Sequence, residues 1–124
     1  MKQKILVAGG TGYIGSHTTV ELQNAGYDVV IIDNLSNSNI EVLDGIEHIT
    51  GIRPEFIELD LKDKDATRKA LASQPGIKGI ILFAASKAVG ESVQKPLLYY
   101  RNNITTLINL LELMPEFSIE GIVF

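Results

Sequence analysis

Lys4-Ile5-Leu6-Val7-Ala8-Gly9-Gly10-Thr11-Gly12-Tyr13-Ile14-Gly15 is the stretch that decides the fold. An apolar run leads straight into glycines at 9, 12 and 15, and the residues after it carry Ile14, Thr18, Leu22 and Ala25 at helical spacing. Strand, glycine turn and helix in that order make a phosphate-binding unit. Gly9 lets the chain leave the strand in a tight turn, and Gly12 removes a Cβ where backbone must approach a pyrophosphate. Gly15 lets the helix lie close to the strand. Backbone N–H groups at the helix start, together with the helix dipole, then face the anion.

Outward from this unit, Asp33 closes a second apolar run, Val29-Val30-Ile31-Ile32. A carboxylate at that point accepts hydrogen bonds from a ribose diol and repels a 2′-phosphate, and no Arg stands beside it, so the pattern favours NAD over NADP. The other role open to Asp33 is a cap in the loop that follows.

Strand-like runs recur at 4–8, 28–33, 55–59, 78–83 and 120–124, mostly separated by helical spacing. Runs nearly continuous in Ile, Val and Leu suit strands covered on both faces. The expectation is a three-layer αβα, doubly wound parallel sheet of the Rossmann type, with five strands in the order 3-2-1-4-5 and right-handed crossovers. The first helix spans 13–25. A second is expected from about Ser38, capped by Asn37 or Ser38 and stopped at Gly51, and a third over 63–73. The longest follows Pro96, with Leu97, Tyr100, Ile104, Leu107, Ile108 and Leu111 expected on its core face, and ends at Met114-Pro115.

The chain has 124 residues, 45% hydrophobic and 21% charged, which suits a single domain over residues 1–124. Its formal charge is −4, without a basic run, which disfavours nucleic acid and anionic membrane surfaces. No signal pattern and no segment of about 20 apolar residues occurs, so a soluble, cytoplasmic protein is expected. Zero Cys and two isolated His exclude a disulfide framework, a thiolate nucleophile and a histidine–cysteine metal cluster. His17, just behind the glycine turn, is expected to be partly buried and hydrogen-bonded rather than catalytic.

In a doubly wound sheet ligands lie outside the carboxyl ends of the strands. That selects the glycine loop, the segment from Asp33 to Ser38, Asp60 and Leu61, and the segment from Phe83 to Lys87. Asp60 either contacts the adenine region or caps the helix beginning near Asp63. Small residues at Ala84, Ala85 and Ser86 permit close backbone approach or plain strand-end packing, and Lys87 either meets a phosphate or is solvated. Asn102, one turn into the long helix, either reaches the end of the fourth strand or lies on the surface.

Three segments then carry a resemblance: Gly-Gly-Thr-Gly-Tyr-Ile-Gly-Ser-His-Thr at 9–18, Asp-Asn-Leu-Ser-Asn-Ser at 33–38, and Lys-Ala-Val-Gly-Glu-Ser-Val-Gln-Lys-Pro-Leu at 87–97. Together they closely resemble UDP-glucose 4-epimerases (UDP-galactose 4-epimerases), members of the extended short-chain dehydrogenase/reductase superfamily. The resemblance runs over essentially the whole chain, and 87–97 is the segment that narrows it. It implies a tightly held NAD, touching Gly9, Gly12, Tyr13, Ile14 and Gly15, then Asp33, Asn34, Leu35, Ser36, Asn37 and Ser38 around the adenosine ribose. It further implies contacts from Asp60 and Leu61 near adenine, from Phe83, Ala84, Ala85, Ser86 and Lys87, and from Asn102. The implied reaction removes a hydride from C4 of a UDP-sugar and returns it to the other face.

Three positions depart from the family pattern: Ala8 where Thr is usual, Leu82 where His is common, and Ala85 where Gly is frequent. The family also uses a Ser after the fifth strand and a Tyr-x-x-x-Lys pair. Here the fourth residue after Tyr13, Tyr27, Tyr99 and Tyr100 is His17, Ile31, Asn103 and Ile104. The chain is therefore expected to be the NAD-binding, N-terminal portion of such an enzyme, cut after the fifth strand and inactive by itself, with that strand's bare edge open to self-association. The alternatives are the same portion of a nucleotide-sugar dehydratase or decarboxylase, and a non-catalytic dinucleotide-binding module.

Overall fold

A computed structural model describes residues 3–35, 39–83 and 96–123, the side chains of 96–103 excepted. In chain order the elements are β1 (Lys4–Ala8), α1 (Tyr13–Asn24), β2 (Asp28–Asp33), α2 (Val42–Thr50), β3 (Glu55–Glu58), α3 (Lys64–Ser73), β4 (Ile77–Leu82), α4 (Pro96–Leu113), a 3₁₀ turn (Pro115–Phe117) and β5 (Gly121–Val123). The five strands form one sheet in the order β3-β2-β1-β4-β5. Every neighbouring pair is parallel, as the doubly wound expectation requires.

Alternation along the strands feeds two cores, one on each face of the sheet. Leu6 and Ala8 of β1, Val30 and Ile32 of β2 and Ile80 of β4 pack with Leu71 of α3 and with Leu110 and Leu113 of α4. Val7, Val29 and Ile31 point the other way, onto Leu43 and Ile46 of α2, with Val20 and Leu22 of α1 against them. Burying one Leu, Ile or Val fully contributes roughly 1.5–3 kcal/mol, so the central strands, apolar on both faces, are what make the three layers cohere.

Three helix expectations need correction. First, α2 begins at Val42 rather than near Ser38, and Asn37 and Ser38 lie outside the described residues. Asn39 takes over the turn, its side-chain oxygen accepting the Glu41 N–H at 3.0 Å; Gly51, at φ +78°, does supply the stop. Second, the deeply buried positions of α1 are Gly15, Thr19 and Gln23, while Ile14 is exposed. Third, Ile108 and Leu111 of α4 are each 46% exposed, and the helix buries Thr106, Asn109, Leu110 and Leu113 instead. The Asn109 amide donates to the carbonyls of Leu61 and Lys62 at 2.9 and 3.1 Å, so a polar side chain is buried with partners at hand. Leu97 and Tyr100 belong to the helix, but their side chains are outside the described residues.

Candidate functional site

At the carboxyl end of β1 the chain turns at Gly9, which has φ +86°, a left-handed conformation that glycine adopts without strain. The turn is closed by the Gly9 N–H on the Ile32 carbonyl at 2.7 Å and by the Gly12 N–H on the Gly9 carbonyl at 3.2 Å. A Cβ on Gly15 would stand 2.3 Å from the Gly9 oxygen, so glycine alone permits α1 to approach the loop. A Cβ on Gly10 would stand 2.7 Å from Cγ1 of Ile31, a requirement that the spacing of the other three glycines does not reveal. At Gly12 an added Cβ would stand 3.5 Å from the Gly9 oxygen, an ordinary van der Waals contact, so packing within the protein does not by itself demand glycine there.

The N–H groups of Gly9, Thr11 and Gly12 are all engaged inside the protein. The first bond within α1 runs from the Ser16 N–H to the Gly12 carbonyl at 2.9 Å. Tyr13 and Ile14 precede it, so their N–H groups have no partner within the helix and remain to receive an anion. Both residues are exposed, at 81% and 53%, and no acidic side chain stands in the first turn to oppose a phosphate. His17 is exposed rather than partly buried: lying four residues beyond Tyr13 on the outer face of α1, it packs its ring against the tyrosine at a centroid distance of 4.7 Å.

Asp33 ends β2 beside this loop. Its Oδ2 accepts from Thr11 Oγ1 at 2.5 Å and from the Thr11 N–H at 3.3 Å, and its Oδ1 accepts from the Leu35 N–H at 2.8 Å. Leu35 has φ +60°, a left-handed turn that folds the β2 exit back over the carboxylate. Asp60 behaves differently. Its Oδ1 accepts from the Lys62 N–H at 2.9 Å, and the cap of α3 is Asp63, whose side chain accepts from the Ala66 N–H at 3.1 Å. Leu61, 4% exposed, is fixed in the core by its side chain while its carbonyl receives Asn109.

The structure thus brings Gly9, Gly12, Tyr13, Ile14, Gly15, Asp33, Asn34 and Leu35 to one end of the sheet, with Asp60, Leu61 and Phe83 at the adjoining strand ends; the Phe83 N–H donates to the Ala8 carbonyl at 2.7 Å. Ser36, Asn37, Ser38, Ala84, Ala85, Ser86 and Lys87 lie outside the described residues, and so does the side chain of Asn102. Two of the departures from the family pattern prove to be neighbours. Ala8 and Leu82 are register partners on β1 and β4, both turned to the core under α3 and α4, so an apolar pair fills that corner. Thr11 is a residue that glycine spacing passes over, because nothing local in sequence links it to a carboxylate 22 positions away.

Parallel strands in this order, with a glycine turn and a carboxylate at the ends of the first two, define a Rossmann-like α/β domain. The chain belongs to the NAD dependent epimerase/dehydratase family, whose model matches residues 5–124. It is 52% identical over 120 residues to the UDP-glucose 4-epimerase uge1 of Schizosaccharomyces pombe, covering 97% of this chain and 34% of that protein. The UDP-glucose 4-epimerase of Bacillus subtilis is 51% identical over 120 residues, covering 97% and 35%. A crystal structure of UDP-glucose 4-epimerase from Stenotrophomonas maltophila, with bound NAD and formylated UDP-arabinopyranose, superposes with a TM-score of 0.91 at 42% identity, covering 98% of this chain and 36% of that one. The chain spans about a third of the length of the curated relatives it matches.

Proposed function

We propose that these residues hold NAD across the carboxyl end of the sheet, and that they form the cofactor-binding part of a UDP-glucose/UDP-galactose 4-epimerase. The observation that carries this is the pairing of two chemistries at one end of the sheet: first-turn N–H groups at Tyr13 and Ile14 for a pyrophosphate, and the Asp33 carboxylate for a ribose diol. A glycine at position 12 that the protein's own packing does not demand fits the same ligand. The likeness to epimerases, one of them crystallised with NAD, supports the choice of cofactor and reaction.

When bound, NAD supplies a hydride acceptor and donor; the chain binds it and orients it. Proton transfer needs a positioned acid or base, and none of the four tyrosines has a Lys four residues on. These 124 residues are therefore expected to bind cofactor without interconverting UDP-sugars. Calorimetric titration tests the first half: saturable NAD binding, with NADP at least about tenfold weaker, is expected, and the absence of binding would overturn it. Cofactor-dependent sugar interconversion by the isolated chain would overturn the second half. A further element of the proposal is self-association along β5, the sheet-edge strand whose Val123 is 66% exposed. A scattering mass that rises with concentration supports it, and a constant monomer mass contradicts it.

A further inference from the structure

Thr11 stands between the two halves of the candidate site. Its residue surface is 2% exposed, and both of its donors, the side-chain hydroxyl and the backbone N–H, converge on Oδ2 of Asp33. The Leu35 N–H donates to the other oxygen, Oδ1, at 2.8 Å. A carboxylate on a single methylene turns freely about two bonds; donors on both oxygens, supplied from segments 22 and 2 residues away, remove that freedom. Hydrogen bonds to a charged acceptor are also stronger than neutral ones, which suits a fixed orientation rather than a passing contact.

We propose that Thr11 is a positioning residue for Asp33. By gripping Oδ2 from within the glycine loop, it presents the carboxylate in the one orientation that meets a vicinal ribose diol, and it thereby sets the preference for NAD over a 2′-phosphorylated dinucleotide. The inference rests on Asp33 being the ribose acceptor of the proposed function. It also couples the two subsites, because the loop that receives the pyrophosphate is the loop that aims the ribose acceptor. An acceptor oriented in advance loses less freedom on binding, so the gain falls on the ligand that uses the carboxylate and not on the one it repels.

The test compares wild type with T11V, which keeps the branched shape and the backbone N–H while removing the hydroxyl, and with T11S, which keeps the hydroxyl. NAD and NADP are titrated into each by calorimetry, and the T11V change is repeated in a D33N background as a double-mutant cycle. T11V is expected to weaken NAD about tenfold, the scale of one hydrogen bond to a charged group, and to leave NADP within about twofold. T11S is expected to stay within about threefold of wild type for NAD, and T11V to cost less than about twofold once Asp33 is Asn. Should valine not be accommodated, T11A against T11S reads the same hydroxyl. NAD binding unmoved in T11V, an equal loss for NAD and NADP, or the same loss in the D33N background would each overturn the inference while leaving the proposed function standing. A wild-type chain that binds no NAD would overturn both.

Discussion

Asp33 and Asp60 invite the same description: each is an aspartate at the carboxyl end of a strand, beside the same end of the sheet. Their partners separate them. Asp33 is bonded across 22 residues to the glycine loop, and its other oxygen is held by the β2 exit. Among the described residues, the Asp60 carboxylate accepts from the Lys62 N–H two residues on and pairs with the half-exposed Lys62 ammonium at 3.6 Å. The Asp60 arrangement is what an aspartate does in many turns, since its short side chain reaches its own backbone. Asp33 is held by structure that exists only when β1, its loop and β2 are assembled. Residue type and strand-end position nominate both carboxylates, and the distance over which each is held is what sets Asp33 apart from Asp60.

The largest effect on this contrast is expected from removing the assembly that holds Asp33. In Gly15→Val the added Cβ meets the Gly9 oxygen at 2.3 Å and Gly10 Cα at 2.9 Å, both backbone, so no side chain can move aside. A loss of about 3 kcal/mol or more is expected in thermal or urea unfolding, the upper range for overpacking, and a melting point equal to wild type would show that α1 does not depend on this approach. Next comes the direct comparison of the two carboxylates. Asp33→Ala is expected to weaken NAD about 100-fold, whereas Asp60→Ala changes it less than about threefold; equal losses in a titration would erase the distinction drawn between them.

Smaller effects are expected around the Asp60 loop. Asn109→Leu leaves the buried Leu61 carbonyl, and the Lys62 carbonyl beside it, without their amide donor and is expected to cost about 2 kcal/mol in urea unfolding. An unchanged midpoint would mean that the loop does not need its tether to α4. Asp63→Ala removes only the α3 cap, with an expected cost of about 1 kcal/mol, readable as a modest drop in melting temperature. A loss larger than that of Asn109→Leu would reverse the order of importance assigned to these two.

The β1 turn, the five strands and their order follow from sequence because glycine geometry and continuous apolar runs are local and leave few alternatives. Gly9 and Gly15 do what their spacing implies. The inner faces of α1 and α4 do not follow, and for one physical reason: both helices bury polar residues whose hydrogen-bonding groups find partners, within the helix or across the fold. Thr19 returns its hydroxyl to the Gly15 carbonyl, Gln23 accepts from Thr50, and Asn109 spans to the β3–α3 loop. A stripe drawn through apolar residues alone then falls on the wrong face, leaving Ile108 and Leu111 outside. Thr11 escapes for the same reason. Its partner is 22 residues away, and no periodicity records it.

The proposed cofactor site lies at the carboxyl end of the sheet. A competing concavity exists at the other end, a recess of about 280 Å³ lined by Lys4, Tyr27, Asp28, Arg53 and Glu55 among others. Its Lys4 ammonium already binds Gln74 Oε1 and the Pro75 carbonyl, and Arg53 is paired with Asp44 and Glu47. Titrating NAD into the ¹⁵N-labelled chain and following the backbone amide resonances separates the two ends directly. With NAD at the proposed site, the largest shifts are expected at Thr11, Tyr13, Ile14 and Leu35, with Lys4, Tyr27 and Arg53 unmoved. Shifts concentrated at Lys4, Asp28 and Arg53, or none at saturating NAD, would contradict it.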